Sequence, residues 1–240
     1  MQILVTGTSR GIGKSIAQQL LSEGHEVIGT SRSTSHEFLN NELYRHIACD
    51  LSKPEEVKKL KVVFQEEEIP EVLINNAGMF AEADFDISDE EWLANWDLTL
   101  QVNLRSAGLI SKWALNAWKE AGIEGRLINI SSRAGTRGDT QEYASYAASK
   151  GGMTAFTKSI ARSFGKHGIT AYTIAPGFVN TDMAQGSIEV YGEDYLTKDL
   201  ALDSIAPPQQ IAEIASLLAS GKLKHATGQT FHVNSGSYLV

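Results

Sequence analysis

The sequence predicts an α/β fold, a doubly wound parallel sheet of seven strands with helices on both faces. Three observations carry this expectation. Short Val- and Ile-rich runs alternate with segments of helical spacing from the first residues onward. A glycine-rich turn joins the first run to the first helical segment. No internal repeat, low-complexity tract or Pro/Gly/Ser linker interrupts the 240 residues, so one continuous domain over 1–240 is expected.

The apolar runs place strands at 3–6, 27–30, 46–49, 72–75, 127–131, 170–175 and 230–233. Ile12, Ile16 and Leu20 recur at helical spacing, and Gly24 marks the stop. Ser52, Lys53 and Pro54 open a second helix through Val57, Leu60 and Phe64. Ser88 followed by Glu91 forms a capping box for a long helix over 92–120. Pro208 sits in the first turn before 211–219. Connections of crossover length make neighbouring strands parallel and covered on both faces, with ligands at their carboxyl ends.

Composition narrows the function classes. A hydrophobic fraction of 42% and a charged fraction of 21% suit a globular core. No apolar stretch is long enough for a membrane span, and the first residues lack the basic region of a secretory signal. Cys49 is the single cysteine, consistent with the cytoplasm and read as a small packing residue. A net charge of −8 argues against nucleic-acid affinity. The six histidines show no metal-ligand spacing, and Trp92, Trp96, Trp113 and Trp118 read as packing stripes rather than a ligand cage.

The turn Thr6–Gly13 offers Gly7, Ser9, Arg10, Gly11, Ile12 and Gly13 as cofactor-binding candidates. Glycines let a pyrophosphate approach the backbone, and the helix N-terminus supplies unpaired N–H groups and positive potential. After the second strand come Ser31 and Arg32 with no acid, where a carboxylate would grip a ribose 2′-hydroxyl. A guanidinium pairs with a 2′-phosphate, so Arg32, with Arg10 closing from the other side, points to NADP(H). The alternative is two solvated arginines. Asp50, followed by Leu51, ends the third strand and could meet the adenine or simply cap a helix. Asn75, Asn76, Ala77 and Gly78 end the fourth strand. Their amides could tie strands together, with Asn75 and Gly78 lining the adenosine-ribose side.

The fifth strand ends in Ser131-Ser132, and Tyr146 precedes Lys150 by four residues, one helix turn. An ammonium beside a phenol stabilises the phenolate, which would bring Tyr146 toward a useful acid–base range. Ser132 would donate to a carbonyl oxygen as charge builds there. Tyr143 has Ala147 where this pattern needs a lysine, so it is set aside as the proton donor.

Together these residues resemble the short-chain dehydrogenase/reductase family, across essentially the whole chain: Thr6–Gly13, Asn75–Gly78, Ser132, and Tyr146 with Lys150. The resemblance implies a hydride transfer between NADP(H) and a carbonyl/alcohol substrate. It adds Asn103 as a fourth catalytic residue relaying protons to Lys150, and has Lys150 hold the nicotinamide ribose. It makes Pro176, Gly177, Val179 and Thr181 contacts of the nicotinamide side and implies a homotetramer or homodimer. Within the family the ends of the chain look most like 3-oxoacyl-[acyl-carrier-protein] reductases. Against that stand an expected substrate lid over 183–207 rich in acids and the bulky Met79-Phe80 pair. Two alternatives stay open: a reductase of a small free ketone, and a non-catalytic NADP(H)-binding sensor.

Overall fold

A computed structural model describes residues 1–33, 38, 40–182 and 197–239. Of the expected lid, 183–196 lies outside the described residues. The sheet is built from β1 (Gln2–Thr6), β2 (Glu26–Ser31), β3 (Tyr44–Ala48), β4 (Val72–Asn75), β5 (Arg126–Ile130), β6 (Thr170–Pro176) and β7 (Thr230–Val233). All seven strands pair in parallel, in the order β3-β2-β1-β4-β5-β6-β7. This is the doubly wound, or Rossmann, arrangement, and the strand order reverses between β1 and β4.

Alternation along the strands sends neighbours into opposite cores. Ile3, Val5 and Ile74 pack under α1 (Gly11–Ser22) and a C-terminal helix, while Leu4, Leu73 and Leu127 pack on the other face. Between α1 and that last helix come α2 (Pro54–Lys59), α3 (Asp89–Leu100), α4 (Ser106–Ala121), α5 (Ala134–Arg137) and α6 (Ala144–Phe164). The last helix is α7 (Pro208–Ala219), whose Ile211 and Leu218 reach the first core. Gly24 does stop α1. At φ +79° it lets its own N–H reach the Leu21 carbonyl and His25 the Leu20 carbonyl, a Schellman cap.

Three boundaries differ from the sequence pattern, each for a packing reason. β3 starts at Tyr44 because that ring crosses β2 to bring its hydroxyl within 2.7 Å of Thr8 Oγ1. A side chain at Gly29 would occupy that path, since its Cβ would strike the Tyr44 hydroxyl. The helix expected through Phe64 tightens after Lys59 into a 3₁₀ stretch, Leu60–Phe64, which buries Leu60 and Val63 on one side at its three-residue period. The single helix expected over 92–120 is interrupted by a π turn at Gln101–Arg105. Its start is the predicted cap: Ser88 Oγ accepts from Glu91 N and donates to Glu91 Oε2 at 3.0 Å.

Trp118 is fully buried and donates to the Pro70 carbonyl at 2.6 Å, while Trp113 packs at the edge of the same core. Trp92 and Trp96 pair on α3 with centroids 4.9 Å apart. No helix among the described residues is long and apolar enough to cross a membrane.

Candidate active site

A cleft of about 910 Å³ opens at the carboxyl ends of β1 to β5, over the point where the strand order reverses. Its first wall is the glycine turn. Gly7 and Gly11 adopt φ of +77° and +56°, which side chains rarely accept. A Cβ on Gly7 would lie 2.9 Å from Ala77 Cα, and one on Gly13 would collide with the Gly7 carbonyl and the Asn76 amide. The Asn-Asn-Ala-Gly segment therefore buttresses this turn. Asn76 Nδ2 donates to the carbonyls of Thr6 and Gly7 at 2.9 and 3.2 Å, and the Asn76 and Ala77 N–H groups donate to Thr6 Oγ1.

Gly13→Ala is expected to cost about 1–3 kcal/mol, because the Gly7 backbone and the hydrogen-bonded Asn76 amide block relaxation. It would also move the turn that meets the cofactor. Urea unfolding with and without dinucleotide measures both, and a variant as stable as the parent would show that the turn relaxes freely.

The N-terminus of α1 carries no side-chain cap and no acid in its first turn. That leaves its positive end for an anion, which fits a pyrophosphate. Ser31 and Arg32 line the cleft at the carboxyl end of β2. Ser31 Oγ donates to the Ser33 carbonyl and lies 3.0 Å from His46 Nε2. Arg10 also lines the cleft, but its guanidinium leans toward Asp182 at 3.9 Å, an exposed and therefore weak pair.

Asp50 lines the cleft, but it does not cap α2, whose N-terminus at Lys53 carries no side-chain cap. Its carboxylate instead accepts from the Ser52 hydroxyl and N–H at 2.7 and 3.0 Å, which holds its pKa below the usual carboxylate range. Leu51 lines the cleft beside it. Cys49 is buried, and desolvation with the nearby Glu56 charge pushes its thiol up to about 11, the profile of a packing residue.

Asn75 differs from its expected place on the adenosine-ribose side. It is buried, and its amide donates to Ser111 Oγ at 3.0 Å and Asn129 Oδ1 at 2.8 Å. It ties β4 to β5 and to α4, while Asn76, Ala77 and Gly78 are the residues that reach the cleft.

α6 presents Tyr146 and Lys150 to the cleft one turn apart. The Lys150 side chain is buried, and its Nζ donates to the Ile130 carbonyl at 2.9 Å. Asn103 arrives through the π turn, whose wider winding carries it fully into the interior. Its Oδ1 accepts from Met79 N at 2.8 Å, and its Nδ2 donates to the Met79 carbonyl and Ser149 Oγ. Gly78 sits between these groups: a Cβ there would be 3.3 Å from both Asn103 Oδ1 and Lys150 Nζ. Ser132 follows β5, accepts from Ala134 N at 3.1 Å, and hydrogen-bonds the Tyr146 phenol.

The electrostatics correct one expectation. Burial pushes the Tyr146 phenol up to about 12; the Ser132 hydrogen bond pulls it down and the Asp139 charge adds a further push up. Lys150 does not oppose this shift. Its amine is engaged by Ile130, 5.8 Å from the Tyr146 ring centre, and burial brings the ammonium itself down to about 8.

The segment after β6 reaches the cleft at fewer points than the resemblance implied. Gly177 packs against Asn234, where a Cβ would lie 2.8 Å from its Cα, and Val179 is buried and bridged to Ala206. Pro176 is buried at the end of β6. Thr181 does line the cleft, beside Gly11. Sequence spacing missed one wall altogether. Phe80 stacks on Tyr143 at 3.8 Å and meets the Tyr146 ring edge-on at 4.8 Å.

The family described as enoyl-(acyl carrier protein) reductase matches residues 7–238. The chain is 36% identical to 3-oxoacyl-[acyl-carrier-protein] reductase FabG of Vibrio cholerae, covering 99% of this chain and 97% of that protein. It is 35% identical to FabG of Escherichia coli K12 over the same shares. Among solved structures, a variant of actinorhodin polyketide ketoreductase with NADPH is 30% identical, with a TM-score of 0.85 over 99% of this chain and 97% of that one. The chain belongs to the short-chain dehydrogenase/reductase family of oxidoreductases.

Proposed function

We propose that the protein is an NADPH-dependent reductase of the 3-oxo group of an acyl thioester. The observation that carries the reading is one cleft in which a buttressed glycine turn faces Tyr146, with Ser132 on its phenol and Lys150 one turn behind. The named relatives that reduce 3-oxoacyl carriers support the substrate class, and the ketoreductase structure holding NADPH supports the cofactor.

Gly7, Ser9, Gly11, Ile12 and Gly13 would hold the pyrophosphate and Ser31, Arg32 and Arg10 the 2′-phosphate. Asp50 and Leu51 would flank the adenine, with Asn76, Ala77 and Gly78 along the ribose. Thr181 would meet the nicotinamide side directly, with Pro176, Gly177 and Val179 shaping its loop. NADPH, when bound, supplies the hydrogen and two electrons that reduce the carbonyl carbon. Tyr146 donates its phenolic proton to the carbonyl oxygen. A phenol near 12 is protonated at neutral pH, the form a donor needs. Ser132 donates a hydrogen bond to the same oxygen. Lys150, positioned by its bond to the Ile130 carbonyl, binds the ribose and returns a proton to the phenolate, and Asn103, across Gly78 from it, feeds the relay.

In this reading 1–240 is one NADP(H)-binding domain, with 183–207 as its substrate lid. It works in the cytoplasm as a homotetramer or homodimer, as family likeness implies. All four catalytic residues are present, so a cofactor sensor is not pursued.

The test is loss of NADPH absorbance with acetoacetyl thioesters beside small ketones, quinones and sugars. The thioester is expected to lead by about tenfold or more in kcat/KM. Tight NADPH binding without oxidation by any carbonyl compound would overturn the reading. In the same assay Arg32→Asp should weaken NADPH by about 10²-fold and NADH by no more than about threefold.

A further inference from the structure

Charges on the cleft lining are mixed at one end and single at the other. Arg10 and Arg32 share their end with Asp50 and Asp182, and Lys150 is engaged with the Ile130 carbonyl. The far wall, beyond Tyr146, is made by laying residues 80–84 against 141–143. Phe80 stacks on Tyr143, Ala83 N donates to the Glu142 carbonyl at 2.9 Å, and Gln141 Nε2 donates to Asp84 Oδ1 at 3.0 Å. These cross-links leave one carboxylate on this wall of the cleft among the described residues, Glu82, whose Oε1 accepts from the Tyr143 hydroxyl at 2.6 Å.

Around it the lining is apolar, with Met79, Phe80, Leu98 and Val102, and no Lys or Arg joins this wall among the described residues. Tyr143 is buried and ring-to-ring with Phe80, and Phe80 with Tyr146. Glu82 is thus fixed two rings from the proton-donating phenol. Another acid, Asp139, acts on that phenol directly.

We infer that Glu82 is a specificity-determining residue, a fixed negative charge that admits neutral 3-oxoacyl compounds and repels those with a carboxylate beside the reacting carbonyl. This rests on the reductase reading above. A free 3-oxo acid carries its charge two bonds from the carbonyl carbon, and a thioester or ester carries none. Glu82 cannot turn away without giving up its bond to a buried phenol. Glu82 is exposed to solvent, and like charges facing one cleft at low ionic strength discriminate by about fivefold.

The experiment compares kcat/KM for 3-oxobutanoate and its ethyl ester at neutral pH, low ionic strength and saturating NADPH. The ester is expected to be preferred. Glu82→Gln should shrink the ester-to-acid ratio about fivefold, and Glu82→Lys should shrink it further. Molar salt should shrink it in the parent protein, an arm that depends on no variant folding. A ratio that stays the same in salt and in both variants overturns the assignment while leaving the reductase reading standing. A parent protein that consumes neither substrate, and oxidises no NADPH with acetoacetyl thioesters either, overturns that reading, and this assignment with it.

Discussion

Tyr146→Phe is expected to lower kcat for carbonyl reduction by about 10³-fold, within the range that general acid catalysis contributes. The change removes one oxygen and leaves the ring in place. The edge-on contact with Phe80 at 4.8 Å uses the ring alone, so the wall of the cleft should persist. The lost hydroxyl is hydrogen-bonded to Ser132, a net interaction worth about 1 kcal/mol, so the unfolding midpoint should move little. NADPH affinity should stay within about threefold, because the phosphates and adenine are held elsewhere in the cleft. Single-turnover kinetics, an NADPH titration and a thermal melt separate these effects. A variant retaining more than about a tenth of the parent rate would remove the phenol from the chemistry.

Why the phenol could be named from sequence, while its environment could not, follows from the ranges of the forces involved. The central strands were legible because each is a mostly apolar run buried on both faces, as the split of Ile3 and Val5 from Leu4 between two cores shows. The glycine turn was legible because its geometry is local to Thr6–Gly13. Tyr146 and Lys150 were legible because helical periodicity alone sets them one turn apart.

Other features depended on residues far away in sequence. The π turn that delivers Asn103 leaves no mark in hydrophobic spacing, and without the family resemblance Asn103 read as an ordinary helix residue. Asn75 looked like a cofactor contact until its partners, Ser111 and Asn129, were seen 36 and 54 residues away. The Tyr146 environment in the chain alone was hidden for the same reason. Spacing shows that a lysine is near, but not that the Ile130 carbonyl holds its amine or that burial raises the phenol before any nicotinamide charge is present. Tyr143, set aside as a proton donor, turned out to be a wall, because its role comes from stacking with Phe80 across 63 positions.

Lys150→Met is expected to make the protein more stable at neutral pH while reducing its activity by about 10²-fold or more. The ammonium is almost fully buried, at 3% exposure, and desolvation lowers its pKa from the ordinary 10.5 to about 8. Below pH 8 both folded and unfolded chains bind this proton, and the folded state bears the full penalty of about 3 kcal/mol. Between pH 8 and 10.5 the unfolded chain binds a proton that the folded chain has released, so the parent gains stability as pH rises. Above 10.5 the penalty is gone. Methionine fills the same channel without it. Its own cost is the Ile130 carbonyl left without the Nζ donor, about 1–3 kcal/mol at every pH.

The advantage of the variant should therefore be about 0–2 kcal/mol at pH 7 and should shrink, then reverse, between pH 8 and 10.5. Tyr146 titrates in both proteins and cancels in their difference. Urea unfolding of parent and variant across this range reads the difference directly. A stability gap that does not change with pH would mean that Lys150 is not a strained buried cation. The site would then hold its amine at no cost to the fold.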